Sequence, residues 1–317
     1  AFAFLLVGIL LSVVFWQRYC LMLQKEAAAR ARDIFFSDIS HDMRTPLNAV
    51  LGFAALAQKP GVPLEAKDTY IKKMEASALL LLDLINDTLT ISKANLGKLQ
   101  LHVVPVRVQS LVDSIMEPIR VMAAQKNIAL SLELGGDRPE ILLADPLSLQ
   151  KIFLNLLNNA VKYTPDGGHI WVNIQIHRLP TGRLQIDAAI RDNGIGMQPE
   201  FLSRIYEPFA QERRDGYEGM GTGLGMAIVK QMVDLHQGSI TVESKVNEGT
   251  IFRVRLLLAE GEAPSGDPQE PVRVDAGLSG SRILVCEDNA LNREIICELL
   301  KEQGILVDIA ANGRMCV

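Results

Sequence analysis

Two long apolar stripes, parted by one hard break, constrain this chain more than any other feature. The break is Lys59-Pro60-Gly61-Val62-Pro63. Proline removes backbone donors and glycine admits turn conformations, so no helix runs through it. Downstream, Ile71, Met74, Ala78, Leu81, Ile85 and Thr88 recur three and four apart, and Leu82 and Leu89 widen the stripe. Upstream, Phe36, Ile39, Met43, Leu47, Val50, Ala54 and Ala57 keep a similar period. A lone pair of helices buries stripes this broad poorly. The pattern therefore predicts an antiparallel hairpin over residues 24–97 that forms a four-helix bundle with a second copy of the chain.

Before the hairpin, Ala1 to Trp16 carries no charge, and Trp16, Arg18, Tyr19 and Lys25 follow. The run is slightly short of the ~18 residues of a membrane span. Aromatic and basic residues at its end suit an interface with the cytoplasm on the C-terminal side. A signal-peptide core would need a basic start and a cleavage site, which are missing. A transmembrane helix over residues 1–23, incomplete at its start, is preferred to a buried helix. With Ala1 inside the run and the chain stopping after Val317, the sequence reads as a fragment cut at both ends.

After the hairpin, short apolar stretches (Ile128–Leu134, His169–Ile176, Leu184–Arg191, Ser239–Val242 and Thr250–Leu257) read as strands. Helical patterns lie at Val108–Gln125, Asp145–Lys162 and Leu224–His236, the second opened by an Asp145-Pro146 cap. Strands and helices do not alternate regularly, so residues 98–260 are expected to form an α/β sandwich on a mixed sheet. Residues 261–280, rich in Gly, Pro, Ser and acids, read as a linker. Arg282–Asp288 then looks like a buried strand ending in carboxylates. A helix from Asn289 to about Gln303 and a strand near Leu306–Ile309 follow. Residues 281–317 thus open a flavodoxin-like domain, left with an unpaired strand and an uncovered apolar face.

A net charge of -5 and a hydrophobic content of 48% point neither to wholesale disorder nor to a nucleic-acid-binding surface. Cys20, Cys286, Cys297 and Cys316 form no ligand-spaced cluster, which leaves them as free thiols in a reducing compartment.

Four constellations carry chemistry. In Ser40-His41-Asp42-Met43-Arg44-Thr45-Pro46, His41 lies roughly 200° around the helix from both Ile39 and Met43, facing solvent. An exposed neutral imidazole is a nucleophile, and Asp42 can orient its ring. In Asn155-Leu156-Leu157-Asn158-Asn159-Ala160-Val161-Lys162-Tyr163, Asn155 and Asn159 share one helix face. Their amide oxygens suit Mg²⁺, Lys162 can reach phosphate and Tyr163 can cover an adenine ring. In Asp192-Asn193-Gly194-Ile195-Gly196, a carboxylate at a strand end can accept from an adenine amino group, and Gly194 and Gly196 permit a tight turn. In Gly219 to Ala227, the loop with Gly221, Thr222, Gly223, Leu224 and Gly225 runs into a helix whose N–H groups can cradle phosphates. Ile205–Phe209 and the polar stretch from Gln211 to Gly219 read as a lid, with Arg213 or Arg214 able to meet phosphate, or as an ordinary exposed loop. Each alone is weak; a surface histidine, an Asn-rich polar face and a glycine turn are common.

Their order over residues 30–257 resembles the H, N, G1, F and G2 boxes of sensor histidine kinases, and Gly249-Thr250-Ile251-Phe252 resembles the family's last glycine box. The resemblance implies a dimeric phosphotransfer bundle and a Bergerat-type ATP-binding domain with Phe209 in its F box and Thr250 near the adenine. It implies ATP-dependent autophosphorylation of His41, with Thr45 supporting a phosphatase reaction on a receiver. Ser148 departs from the family, which often has arginine there. The last segment resembles the start of a receiver domain, with Glu287 and Asp288 as its Mg²⁺-binding pair and the phosphoacceptor aspartate beyond Val317. A hybrid sensor kinase at the inner membrane follows, partnered by its own or a separate response regulator. Two readings stay open beside it: an ATPase or serine-directed kinase of the same superfamily, and a scaffold that binds nucleotide without transfer.

Overall fold

The computed structural model describes residues 15–19, 22, 37, 39–137, 139–212, 222–261 and 280–316. The chain divides into two compact units, Ala1–Ala263 and Pro264–Val317. The apolar start of the chain lies mostly outside the described residues. Among those described, no helix is long and apolar enough to cross a membrane.

In the first unit, helix α1 (residues 39–57) and helix α2 (Leu64–Asn95) flank the proline break, where Gly61 takes a positive φ of 82°. Phe53 stacks on Tyr70 at 6.1 Å, and the Lys73 ammonium sits 5.3 Å from the Phe53 ring centre. These contacts across the turn make the pair an antiparallel hairpin. The seam residues Ile71, Leu82, Ile85 and Leu89 stay exposed in a single chain. Leu84 and Ile91, on another face of α2, are buried in the core of the α/β part.

That part holds β1 (Val104–Arg107), α3 (Val108–Gln125), β2 (Ala129–Gly136), β3 (Ile141–Ala144) and α4 (Pro146–Tyr163). It continues with β4 (His169–Arg178), β5 (Arg183–Asp192), α5 (Pro199–Leu202), α6 (Gly225–Leu235), β6 (Ser239–Lys245) and β7 (Gly249–Glu260). The seven strands run β1-β3-β7-β5-β4-β2, with β6 also on β7. Only β2 and β4 pair in parallel, so the sheet is mixed as the irregular strand order suggested. The strands β1 and β3 and the short helix α5 have no counterpart in the sequence reading.

Helices α3, α4 and α6 bury one stripe each. In α4, Leu149, Ile152, Phe153, Leu156, Leu157, Ala160 and Val161 go inward. The alternation of three and one fixes the opposite face as polar. The Asp145 carboxylate caps this helix, accepting from Leu147 N (3.0 Å) and Ser148 N (3.1 Å). Ser148 is buried, and its hydroxyl lies 2.6 Å from His236 Nε2 at the end of α6.

The second unit contains β8 (Arg282–Cys286), α7 (Ala290–Glu302), β9 (Leu306–Ala310) and α8 (Gly313–Cys316), with β8 and β9 parallel. Leu284, Ile295, Leu299 and Ile309 are exposed there.

Candidate active site

His41 sits on the outer face of α1 with its side chain 79% exposed. Its Nδ1 lies 3.2 Å from an Asp42 carboxylate oxygen. A carboxylate there favours the proton on Nδ1, which leaves the Nε2 lone pair pointing outward. Thr45 follows one turn later, its hydroxyl 3.5 Å from the His41 carbonyl.

Asn155, Asn159, Lys162, Tyr163, Asp192, Gly196, Thr222, Gly223, Gly225 and Thr250 line one cleft of about 560 Å³, whereas Gly194 and Phe209 are not in its lining. The polar face of α4 supplies Asn155, Asn159, Lys162 and Tyr163. Asn155 Nδ2 donates to the Lys151 carbonyl at 2.8 Å, so its Oδ1 is the free end. A Cβ on Gly225 would strike that oxygen, so the start of α6 approaches α4 this closely because residue 225 is glycine. The Lys162 ammonium sits 4.5 Å from the Tyr163 ring centre, and burial pulls its pKa below the ordinary lysine value.

Asp192, at the end of β5, is 6% exposed. Burial pushes its carboxyl up to about 6, although the Gly194 and Thr250 backbone N–H groups donate to it. The Gly194 bond is 2.8 Å. Gly196 takes a positive φ of 61°, and a side chain there would strike the Lys245 carbonyl. Thr250 pairs with Asp192 across β5 and β7 and is itself buried.

Thr222, Gly223 and Gly225 line the cleft too. Phe209 N donates to the Gly223 carbonyl at 3.0 Å, which clasps the two ends of the expected lid. Gly223 has a φ of 69°, and a Cβ on it would come within 2.7 Å of the Phe209 backbone. Leu224 is wholly buried, so it anchors the loop in the core and does not line the cleft. Arg213, Arg214 and Gly221 lie outside the described residues. Glu287 and Asp288 follow β8 in the second unit. The Glu287 carboxylate accepts from Asn289 N at 3.1 Å.

The sequence reading missed part of the cleft: Leu80, Asp83 and Asp87 of α2 form its lip. Asp87 pairs with Lys151 of α4 at 2.8 Å, and Lys151 also donates to the Thr90 hydroxyl at 3.4 Å. Nothing local marks these residues, because the approach of α2 to α4 is made by packing.

An exposed imidazole on a helical hairpin and an amide-, carboxylate- and glycine-lined cleft are the two halves of a known pairing. Residues 31–97 match the His Kinase A (phospho-acceptor) domain. Residues 144–260 match the family described as Histidine kinase-, DNA gyrase B-, and HSP90-like ATPase. The chain belongs to the histidine kinase family. The signal transduction histidine-protein kinase BarA of Escherichia coli K12 is 33% identical over 289 residues, covering 89% of this chain and 30% of that protein. The hybrid signal transduction histidine kinase K of Dictyostelium discoideum is 32% identical over 317 residues, covering 92% of this chain and 25% of that protein. The chain thus spans less than a third of the length of these curated relatives. Among solved structures, full-length ShkA in complex with AMPPNP is similar, with a TM-score of 0.53 and 28% identity over 87% of this chain and 55% of that one. This family chain therefore couples a helical phosphoacceptor domain to an ATP-binding α/β domain on a mixed sheet.

Proposed function

We propose that the chain transfers the γ-phosphate of ATP to His41 and passes it on to a receiver aspartate. Nε2 of His41 attacks the γ-phosphorus, the bond from that phosphorus to the β,γ-bridging oxygen breaks, and ADP departs with that oxygen. The observation that carries this reading is His41 itself: an imidazole 79% exposed, with a carboxylate on Nδ1. A structural histidine would be buried and satisfied on both nitrogens.

In the cleft, Asp192 and Thr250 receive the adenine, Tyr163 covers it, and Lys162 with the start of α6 meets the phosphates. Gly196 lines the cleft, Gly194 holds the Asp192 carboxylate and Phe209 holds Gly223, and Arg213 and Arg214 are assigned to phosphate. The free Asn155 Oδ1 and the Asn159 amide suit Mg²⁺, a hard cation that shares oxygen donors with phosphate and neutralises its charge. Thr45, one turn from His41, supports a phosphatase reaction on a receiver, in which water takes up the phosphoryl group and the aspartate is released.

The exposed seam of Ile71, Leu82, Ile85 and Leu89 supports a homodimer closed into a four-helix bundle. Kinase K of Dictyostelium is named a hybrid, and residues 281–317 of this chain are read as the start of a receiver domain with Glu287 and Asp288 as its Mg²⁺ pair. The uncharged run from Ala1 to Trp16 supports a membrane anchor with the catalytic parts on its cytoplasmic side. The bundle spans 24–97, the ATP-binding domain 98–260 and the linker 261–280.

The test is labelling with γ-labelled ATP and Mg²⁺. Wild type takes up label that is lost in acid and kept in base, and His41→Gln takes up none. Label that persists in His41→Gln, or that survives acid, would falsify the reading and favour a serine-directed kinase.

A further inference from the structure

Ser244 lies at the end of β6, beside the cleft but not in its lining. Its hydroxyl donates to the Gly249 carbonyl at 3.0 Å, an atom that only accepts. It accepts from Met197 N at 2.9 Å. The third neighbour is the Thr250 hydroxyl at 2.8 Å. A serine has one proton, and here it is already committed. The bond between the two hydroxyls therefore takes its proton from Thr250.

The consequence falls on the cleft. With its proton turned toward Ser244, Thr250 shows the cleft a lone pair only. Asp192, its partner across β5 and β7, is a carboxylate and shows lone pairs as well. The base edge thus meets two acceptors side by side. A purine bearing a 6-amino group brings N–H donors to both, whereas a 6-keto purine sets its oxygen against one acceptor and has only its N1 proton for the other. Rejection by an unpaired buried polar group is a strong form of discrimination.

We infer that Ser244 is a positioning residue for base selection, which holds the Thr250 hydroxyl as an acceptor and so favours adenine over 6-keto purine nucleotides. This rests on the reading of the cleft as an ATP site. It deepens that reading by giving selectivity to a residue that never touches the base.

The decisive comparison uses ATP and ITP, which differ only at the 6-position and its neighbouring N1 proton. Affinities of both, with Mg²⁺, are measured calorimetrically on the full chain. Wild type is expected to bind ATP more tightly than ITP. Ser244→Ala, which frees the Thr250 hydroxyl to rotate, is expected to narrow the ATP-to-ITP ratio by about tenfold. Ser244→Thr keeps the hydroxyl and is expected to keep the ratio. In a Thr250→Val background, Ser244→Ala should leave the ratio where Thr250→Val put it, because the residue acts only through that hydroxyl. Should Ser244→Ala lose its cooperative melt, Ser244→Cys, a weak acceptor of similar size, must narrow the ratio in its place. The inference is overturned if ATP and ITP weaken together, which marks a merely structural role, or if the ratio does not move. A wild type that binds neither nucleotide sinks the ATP reading itself, an outcome visible before any variant is made.

Discussion

The proposed acceptor turn and the nucleotide cleft are built on opposite plans. His41, Asp42 and Thr45 fit within a single turn of α1, and the imidazole stands clear of the protein. The cleft takes Tyr163, Asp192, Gly223 and Thr250 from distant parts of the chain and buries its carboxylate to 6% exposure. An acceptor has to be reached by a bulky donor, and a helix surface supplies that without any special architecture. A base-binding carboxylate needs the reverse, since water competes for its hydrogen bonds unless the walls exclude it. The acceptor therefore costs the fold little, whereas the cleft is held against the fold's own preference.

Asp192 is where this difference should be largest. Its carboxyl sits at about 6 against an ordinary value of 3.8, with burial as the main cause. Between those values the folded protein keeps a proton that the unfolded chain has released, so stability falls as pH rises through the window. Above about 6 the whole penalty is present, on the order of 3 kcal/mol. Asp192→Asn removes the charge while an amide oxygen can still accept from Gly194. Denaturant unfolding at pH 7 should show a more stable domain, and ATP binding should fall by about a hundredfold. In wild type, ATP affinity should drop below pH 6 as the carboxylate takes up its proton, while the fold gains stability. His41→Gln should move neither quantity. Equal stability of wild type and Asp192→Asn would break the contrast between the two sites.

Helix α2 carries a second contrast within one element. Leu84 is 3% exposed and joins the α/β core, whereas Leu82, two residues earlier, is 52% exposed. Leu84→Ala should cost about 3 kcal/mol in unfolding experiments, since a cavity opens in a packed core. Leu82→Ala should change that stability by less than about 0.5 kcal/mol. Its effect should appear in sedimentation instead, as a weaker dimer. If Leu82→Ala sediments as wild type does, the exposed stripe is not the dimer seam.

What the sequence disclosed follows the range of the interactions involved. The helix expected at Val108–Gln125 has those bounds in the structure, because its apolar period is strong and local. The Asp145 cap was legible for the same reason. By contrast, β1 and β3 have four residues each, too few for an alternation to stand out. Ser244 was hidden because the strand was expected to end at Val242, whereas pairing with β7 carries β6 on to Lys245. The burial of Leu84 and Ile91 was also hidden. In the run Leu79-Leu80-Leu81-Leu82 followed by Leu84 and Ile85, α2 is apolar on several faces. Periodicity alone cannot then assign one face to a partner helix and another to the sheet domain. The residues of the cleft were named from their boxes, but the carboxylates on its lip depend on where α2 comes to rest.

Those lip carboxylates supply the smallest expected effect, and one whose sign matters more than its size. Lys151 and Asp87 are 2.8 Å apart with side chains 33% and 21% exposed, an ion pair that water partly reaches. Such a pair contributes about 1 kcal/mol at most, and less in high salt. Lys151→Met keeps the packed stem and removes the charge, so unfolding at low salt should register that loss and unfolding in molar salt should not. The cleft should feel it too. With its cation gone, Asp87 faces the nucleotide phosphates as an unbalanced negative charge, and ATP should bind about threefold more weakly. Asp87→Asn removes that repulsion and should leave ATP binding equal to or slightly tighter than wild type, although it breaks the same ion pair. If both variants weakened ATP alike, the pair would act by holding α2 in place. Opposite signs mean that the helical hairpin reaches the nucleotide through charge at the rim of the cleft.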